Sequence, residues 1–352
     1  MKNCKLPTLL AIIGLVCTLV ALPFLVACGQ GGPTPTKPIT LKFSTGWGPN
    51  VTAVIACESV LKDIEETTGG RVVIERYFGG ALGKGDAQHD IVLQGIADIS
   101  GARQSYTPGV FPLTSVLELP LLPIATAEEG TRILFDLYEK FPELRAEYDD
   151  TKVLFIAIMS PTWLHTIDKP VHGPDDIKGL KLRSSGEVET EMIKLLGATP
   201  VGLTAGDLYT SLDKGIVEGV AWTVQGIPGW KLNEVLKYTT KTAFFVNPFF
   251  LLINKDSWNA LPGDIQDIIE DVTGRNGAVK AVRAAYDSRL DSALQTILDA
   301  GMVVYEPSDA EVAELQKVVT PMYDRWAEKM EAKGLPGRAI LDEAMRLAKE
   351  YK

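Results

Sequence analysis

The chain has 352 residues, 46% of them hydrophobic and 23% charged, with 35 Lys+Arg against 45 Asp+Glu and a formal net charge of −10. That length allows two domains of ~100–200 residues each, with a core large enough to stabilise them. The acidic balance weighs against nucleic acid as a partner, because phosphate binding needs a basic face, but it leaves room for an anionic small molecule held by a local arginine.

In chain order, residues 1–27 read as an export signal: Lys2 and Lys5 are basic, and residues 9–26 are almost continuously apolar. Leu25-Val26-Ala27-Cys28 resembles the lipobox of bacterial lipoproteins, in which the cut falls before the cysteine. The resemblance implies an acylated Cys28 as a membrane anchor, each buried methylene contributing ~0.8 kcal/mol, on the extracytoplasmic face of a bacterial membrane. An uncleaved transmembrane anchor and cleavage without lipid are the alternatives. After the cut, 33 basic residues face 45 acidic ones, for a net charge of −12, and Cys57 is the sole cysteine left in the folded part. No internal disulfide is therefore expected, and stability must come from the apolar core.

Residues 28–38, rich in Gly and Pro, read as a tether. A strand is predicted over 39–44, a helix over 51–68 ending at Gly69-Gly70, and a strand over 71–77. A glycine loop at 79–83, a helix over 86–95 and a short strand over 97–101 follow. This β-α-β-α-β rhythm predicts an α/β domain with a largely parallel sheet. The rhythm recurs in strands at 152–159, 180–183 and 219–223 and helices at 187–196 and 204–214. Residues 242–254 form a β-rich stretch interrupted by Pro248; beyond it the chain is helical over 262–300, with weak points at Gly274 and Gly277, then over 310–333 and 337–352.

Candidates for catalysis are few. His89, His165 and His172 lie at no metal-ligand spacing, and no Gly-x-Ser-x-Gly elbow or P-loop occurs. The glycines at 79, 80, 83 and 85 match neither fingerprint of a nucleotide-binding loop. Cys57 falls mid-helix without a basic partner, which describes a buried inert thiol. No cofactor and no metal are implied.

The strongest internal signal is Asp176-Ile177-Lys178-Gly179-Leu180-Lys181-Leu182-Arg183. Strand alternation points Lys181 and Arg183 to one side. A strand end beside the following helix is where α/β proteins hold ligands, and a guanidinium offers two parallel N–H donors matched to a carboxylate; a surface arginine is the plain alternative. The stretch resembles the Lys-Gly-Leu-Lys-Ile/Leu-Arg motif of the solute-binding proteins of TRAP (tripartite ATP-independent periplasmic) transporters, the DctP family. Phe78-Gly79-Gly80-Ala81-Leu82-Gly83, Gln94-Gly95-Ile96-Ala97-Asp98-Ile99 and Phe111-Pro112 with Glu118-Leu119-Pro120 resemble further family segments. So do Gly197-Ala198-Thr199-Pro200-Val201 before Asp207-Leu208-Tyr209, Val217-Glu218-Gly219, and Asn254-Lys255 with Trp258, Leu261 and Pro262. The similarity runs in order from about Leu41 to Glu270.

The resemblance implies a two-lobed periplasmic binding protein fold of the α/β class, with a hinge and a long helix spanning both lobes. Residues 39–160 with about 250–285 are expected in lobe I; about 161–249 with 286–352 in lobe II and the C-terminal helices. It implies that Arg183 pairs with the carboxylate of a small organic acid, and that a membrane permease receives the acid. Lobe closure then dries that pair, and an unpaired buried arginine is costly enough to keep empty lobes apart. The chain departs from sugar-acid binders in carrying Trp163 in place of a second arginine, and Trp222 in place of an Asn. Arg103 occupies a pocket position after the short strand at Ile99, Trp47 falls at a lobe edge and Phe249 at a crossover, and Arg103 either contacts a second polar group or bridges to an acidic neighbour such as Glu187. Arg183, Arg103, Trp222, Trp163, Trp47 and Phe249 are thus the candidate ligand contacts, each aromatic having an ordinary core role as its alternative. Together they predict a receptor for an aromatic or hydrophobic monocarboxylate, such as an aryl or branched 2-oxo acid. A receptor presenting its ligand to a sensor kinase, and a surface-anchored hydrolase or lyase using His165 or His172, are the rival readings.

Overall fold

The structure, a computed structural model, describes residues 37–351. The expected signal segment, Cys28 and most of the expected tether lie outside the described residues. Eleven strands are found among the described residues: β1 Ile39–Thr45, β2 Val72–Tyr77, β3 Ile99–Arg103, β4 Thr151–Ile158, β5 Thr162–Thr166, β6 Lys181–Ser184, β7 Thr199–Gly202, β8 Gly219–Trp222, β9 Tyr238–Phe245, β10 Pro248–Asn254 and β11 Val303–Tyr305. They form two sheets, in the orders β2-β1-β3-β10-β4 and β11-β9-β5-β8-β6-β7. Each sheet is parallel but for one strand: β10 runs against β3 and β4, and β5 runs against β8 and β9.

Those two reversed strands mark where the chain changes lobe. Residues 159–161 carry it from β4 into β5, and residues 246–247 carry it back from β9 into β10. The two links run side by side. Met159 N donates to Asn247 O at 2.9 Å, and Thr162 Oγ1 donates to Phe245 O at 2.9 Å. The β-rich stretch expected over 242–254 is therefore two strands in different sheets. Pro248 begins the second, a position that needs no N–H from it. β10 is buried from end to end, as its unbroken apolar run Pro-Phe-Phe-Leu-Leu-Ile demands of an interior strand covered on both faces.

Helix Thr52–Thr67 buries Ala53, Val54, Cys57, Val60, Leu61 and Ile64 at helical spacing and stops before Gly69, whose φ of +61° suits only glycine without strain. The lobe-spanning helix is present in segments. Helix Gly263–Val272 ends at the expected weak point, where Gly274 has φ +61°. Helix Gly274–Ala285 packs on the first lobe and helix Leu290–Asp299 on the second, with a 3-10 turn at Asp287–Arg289 between them. The break is held from outside: the Asp287 carboxylate accepts hydrogen bonds from Ala127 N (2.9 Å) and Glu128 N (3.0 Å), capping the start of helix Ala127–Lys140. A second break falls at Pro321, which opens helix Pro321–Glu331 and divides it from helix Asp309–Val319. Helix Asp309–Val319 rests on the second lobe, and helix Gly337–Glu350 on helix Ala127–Lys140 of the first. The C-terminal region thus touches both lobes.

Candidate ligand-binding site

Arg103 ends β3, Trp222 ends β8, Arg183 is the penultimate residue of β6, and Trp47 follows β1 by two residues. Ligand sites of open α/β sheets form at such C-terminal strand ends. Both sheets present them to one cleft, whose walls also include Tyr106, Thr162, Trp230, Asn247 and Tyr286. The free volume is about 60 Å³, less than half of the ~150 Å³ apolar cavity that holds a benzene ring. The lobes are drawn close together here.

Arg183 is 2% exposed. Its Nε donates to Leu203 O at 3.2 Å, and its guanidinium lies over the Trp222 ring, 5.3 Å from the centroid. Nη1 is 3.9 Å from Glu189 Oε2, beyond hydrogen-bond range. A guanidinium carries five N–H donors, so this one keeps unspent donors on both Nη atoms. Burial, chiefly, and then the Arg103 charge push its pKa down, against the pull of Glu189 and the Tyr106 phenol. Such a group gains most from an incoming carboxylate. Lys181, two residues earlier, is exposed.

Arg103 is differently placed. Nη1 donates to Ser185 Oγ at 2.8 Å across the cleft, Nη2 donates to Asn247 Oδ1, and Nη2 lies 3.8 Å from Glu118 Oε1. Its acidic neighbour is therefore Glu118, not Glu187, whose carboxylate is taken by Lys329 at 2.5 Å. Ser185 relays the contact onward, since its N and Oγ donate to Glu189 Oε2 at 2.8 and 2.7 Å. Glu118 and Glu189 are both buried, and Oε1 of each has no hydrogen-bond partner among the described residues.

The aromatic candidates divide. Trp47 stands 6.4 Å from Tyr106, and Trp222 meets Trp230 edge to face at 6.1 Å. Gly226 makes room for the latter pair: a Cβ there would fall 2.5 Å from Trp222 Nε1. Trp163 and Phe249 do not line the cleft. Trp163 pairs with Trp222 in register, yet its ring packs into the second lobe's apolar core. Phe249 is wholly buried among Trp47, Phe155 and Tyr286, one layer beneath the wall, because β10 is an interior strand. Tyr106, Trp230, Asn247 and Tyr286 line the cleft as well, and no sequence motif marks them as ligand contacts.

No histidine lines the cleft. His89 packs on Phe111 and Phe250, and exposed His172 stacks edge-on against Tyr305. His165 is fully buried; Nε2 lies 3.1 Å from Trp222 O, which can only accept, so Nδ1 accepts from Thr239 Oγ1 at 2.9 Å. A neutral ring thus pins the backbone of a wall residue. Burial lowers its pKa to about 4. The unfolded chain takes up the proton first, so the stabilisation is complete above about pH 6.5 and lost as pH falls toward 4, about 3 kcal/mol in all. Glu147, raised to about 7 by burial, acts with the opposite sign from about pH 4.5 to 7. A site-specific titration is therefore the check: ring nitrogen shifts in NMR spectra should stay those of a neutral imidazole down to about pH 4, and a midpoint near 6.5 would contradict the buried bridge.

Two lobes joined by paired strand crossovers, with a dry arginine between them, define a receptor that closes on an anionic solute. The chain belongs to the bacterial extracellular solute-binding protein family 7, DctP, which matches residues 43–329. Its fold matches a TRAP solute-binding protein of Rhodoferax ferrireducens, solved with copurified benzoate, at TM-score 0.84 and 28% identity over 89% of this chain and 98% of that one. A marine metagenome TRAP protein specific for aromatic acid ligands, solved with 3-hydroxybenzoate, matches at TM-score 0.85 and 27% identity over 90% and 100%. The C4-dicarboxylate-binding periplasmic protein DctP of Rhodobacter capsulatus is 26% identical over 317 residues, 85% of this chain and 90% of that one. The protein is a TRAP-type solute-binding receptor for organic acids. No helix among the described residues is long and apolar enough to cross a membrane.

Proposed function

We propose that this receptor captures a monocarboxylic acid with an aromatic body and delivers it, unaltered, to a TRAP-type membrane permease. The observation that carries the reading is Arg183, 2% exposed with donors to spare, in a cleft walled by Trp47, Tyr106, Trp222 and Trp230. The guanidinium fork orients the carboxylate, and flat aromatic walls supply area and edge-on contacts to a ring. Neighbours at TM-scores of 0.84 and 0.85 hold benzoate and 3-hydroxybenzoate, which supports the same class. The small cleft volume requires the lobes to part about their paired crossovers before such an acid enters. Delivery without chemistry is supported by the relatives, which are themselves solute-binding proteins. Acylation of Cys28 would keep the receptor at the extracytoplasmic membrane face; a Cys28→Ser variant should pass from the detergent phase to the aqueous phase on partitioning.

Thermal melts against benzoate, 3-hydroxybenzoate, mandelate, branched 2-oxo acids, succinate and glucuronate test the ligand class. At 100 times its Kd a ligand adds ~2.7 kcal/mol, so aryl monocarboxylates should raise the melting temperature by several degrees. Stabilisation by glucuronate with none by aryl acids would overturn the aromatic assignment.

A further inference from the structure

Glu118 closes the 3-10 turn Thr114–Glu118, and it does not line the cleft. The charged groups that face it are Arg103 from β3 and Glu189 from helix Glu187–Leu195. With Arg183 these make a buried cluster of two cations and two carboxylates, each at most 7% exposed, spanning the cleft between the sheets. The two cations differ in their neutral partners and not in their anions. Glu118 lies 3.8 Å from Arg103 and Glu189 3.9 Å from Arg183, neither within hydrogen-bond range. The Nη atoms of Arg103 are engaged by Ser185 and Asn247, while its buried Nε has no hydrogen-bond partner among the described residues. Two positive and two negative charges leave the closed, empty site near neutral. A monoanion leaves the cluster with one net negative charge in a dry space, its carboxylate meeting the free Nη donors of Arg183. A dianion leaves two, and its second carboxylate finds the Nη atoms of Arg103 already engaged by Ser185 and Asn247.

We propose that Glu118, acting through Arg103, is the residue that restricts this cleft to monoanions and turns dicarboxylates away. The proposal rests on the assignment of the cleft as an acid-binding site, and it deepens that assignment by naming what sets the permitted ligand charge. Burial holds the Glu118 carboxyl above the ordinary carboxylate range, with Arg103 opposing. Protonation of Glu118 is thus one way for the site to tolerate a second ligand charge. Glu118 is a positioning residue: it touches no ligand, and its effect is read in the ratio between two ligands of one shape.

The test uses matched pairs that differ by one charge at constant size, isophthalate against 3-carbamoylbenzoate and succinate against succinamate, measured by calorimetry at pH 7.5. The purified protein should bind the monoanion of a pair at least about 100-fold more tightly than the dianion. Glu118→Gln should narrow that ratio at least about tenfold, and Glu118→Asp, which keeps the charge, should restore it. Since Glu118 lies outside the lining, a changed ratio reads charge and not added room. A second measurement needs no variant: in two buffers of different ionisation enthalpy, the unsubstituted protein should take up about one more proton per dianion bound than per monoanion. Should Glu118→Gln not fold, Glu118→Ala takes its place, and the extra proton should disappear with the carboxylate. A folded Glu118→Gln with an unchanged ratio overturns the proposal, as does dianion binding as tight as monoanion binding with no extra proton. The aromatic assignment fails separately: if only the aliphatic pair binds, the ligand has no ring, and the succinate–succinamate ratio still decides on Glu118.

Discussion

Arg183→Ala should weaken benzoate binding by about 2–5 kcal/mol, the usual cost of truncating one partner of a buried charge pair, which is at least about 30-fold in Kd. The physical basis is the division of the guanidinium's labour. Nε is committed to Leu203 O, the face rests on Trp222, and the Nη donors point at no hydrogen-bonded anion. Only an incoming carboxylate completes the set. Folding should change far less than affinity, because Glu189 loses a neighbour 3.9 Å away yet keeps both hydrogen bonds from Ser185. Arg183→Lys should also impair binding, since an ammonium cannot present two parallel donors or stack on the indole in the same way. Calorimetry beside a thermal melt of the ligand-free variant checks both halves. A folded Arg183→Ala that binds benzoate with unchanged Kd removes the clamp from the site.

Phe249→Ala should act on the other side of the balance, destabilising the fold by about 3–5 kcal/mol, as large-to-small changes of buried aromatics do. Phe249 is 0% exposed and touches rings of both the core and the cleft wall, from Phe155 at 5.5 Å to Trp47 at 6.5 Å. The cavity left by its removal cannot be filled by a strand hydrogen-bonded on both sides. Phe249→Leu should cost much less, under about 1.5 kcal/mol where the core can repack, and should leave Kd within a few-fold of its original value. Denaturant unfolding with calorimetry separates the two roles. A Phe249→Ala variant of undiminished stability that fails to bind would return this ring to the ligand wall.

Much of this arrangement is legible in the sequence. The β-α-β rhythm located β1 to β3, β6 and β8, and helix 52–67, because each is long enough or alternates clearly enough to announce itself. Arg183 stood out through its motif and its place at a strand end. Other parts were hidden for specific physical reasons. Helix Ala127–Lys140 carries Gly130 near its start, a residue that weakens a helical pattern; the fold needs it, because a Cβ there would lie 2.7 Å from Ile158 Cγ2. β5 contains Thr, Trp, Leu, His and Thr, all buried, so no alternation reveals it. Tyr106, Asn247 and Tyr286 reach the cleft from separate segments, through strand pairings and a helix break that leave no local mark. Glu118 stands out in the sequence only as part of the family-like segment Glu118-Leu119-Pro120. Its importance arises from Arg103 and Glu189, neighbours supplied by other elements.

Asn247 lies in one of the two links between the sheets, its carbonyl receiving Met159 N from the other link and its side chain receiving Arg103. The axle of the movement and the lining of the chamber are thus one residue. A lineage that altered this position to admit a new solute would, in the same step, retune how quickly the jaws part. Affinity and release rate are therefore harder to evolve independently at Asn247 than at Trp47 or Trp230, which wall the cleft without belonging to either link.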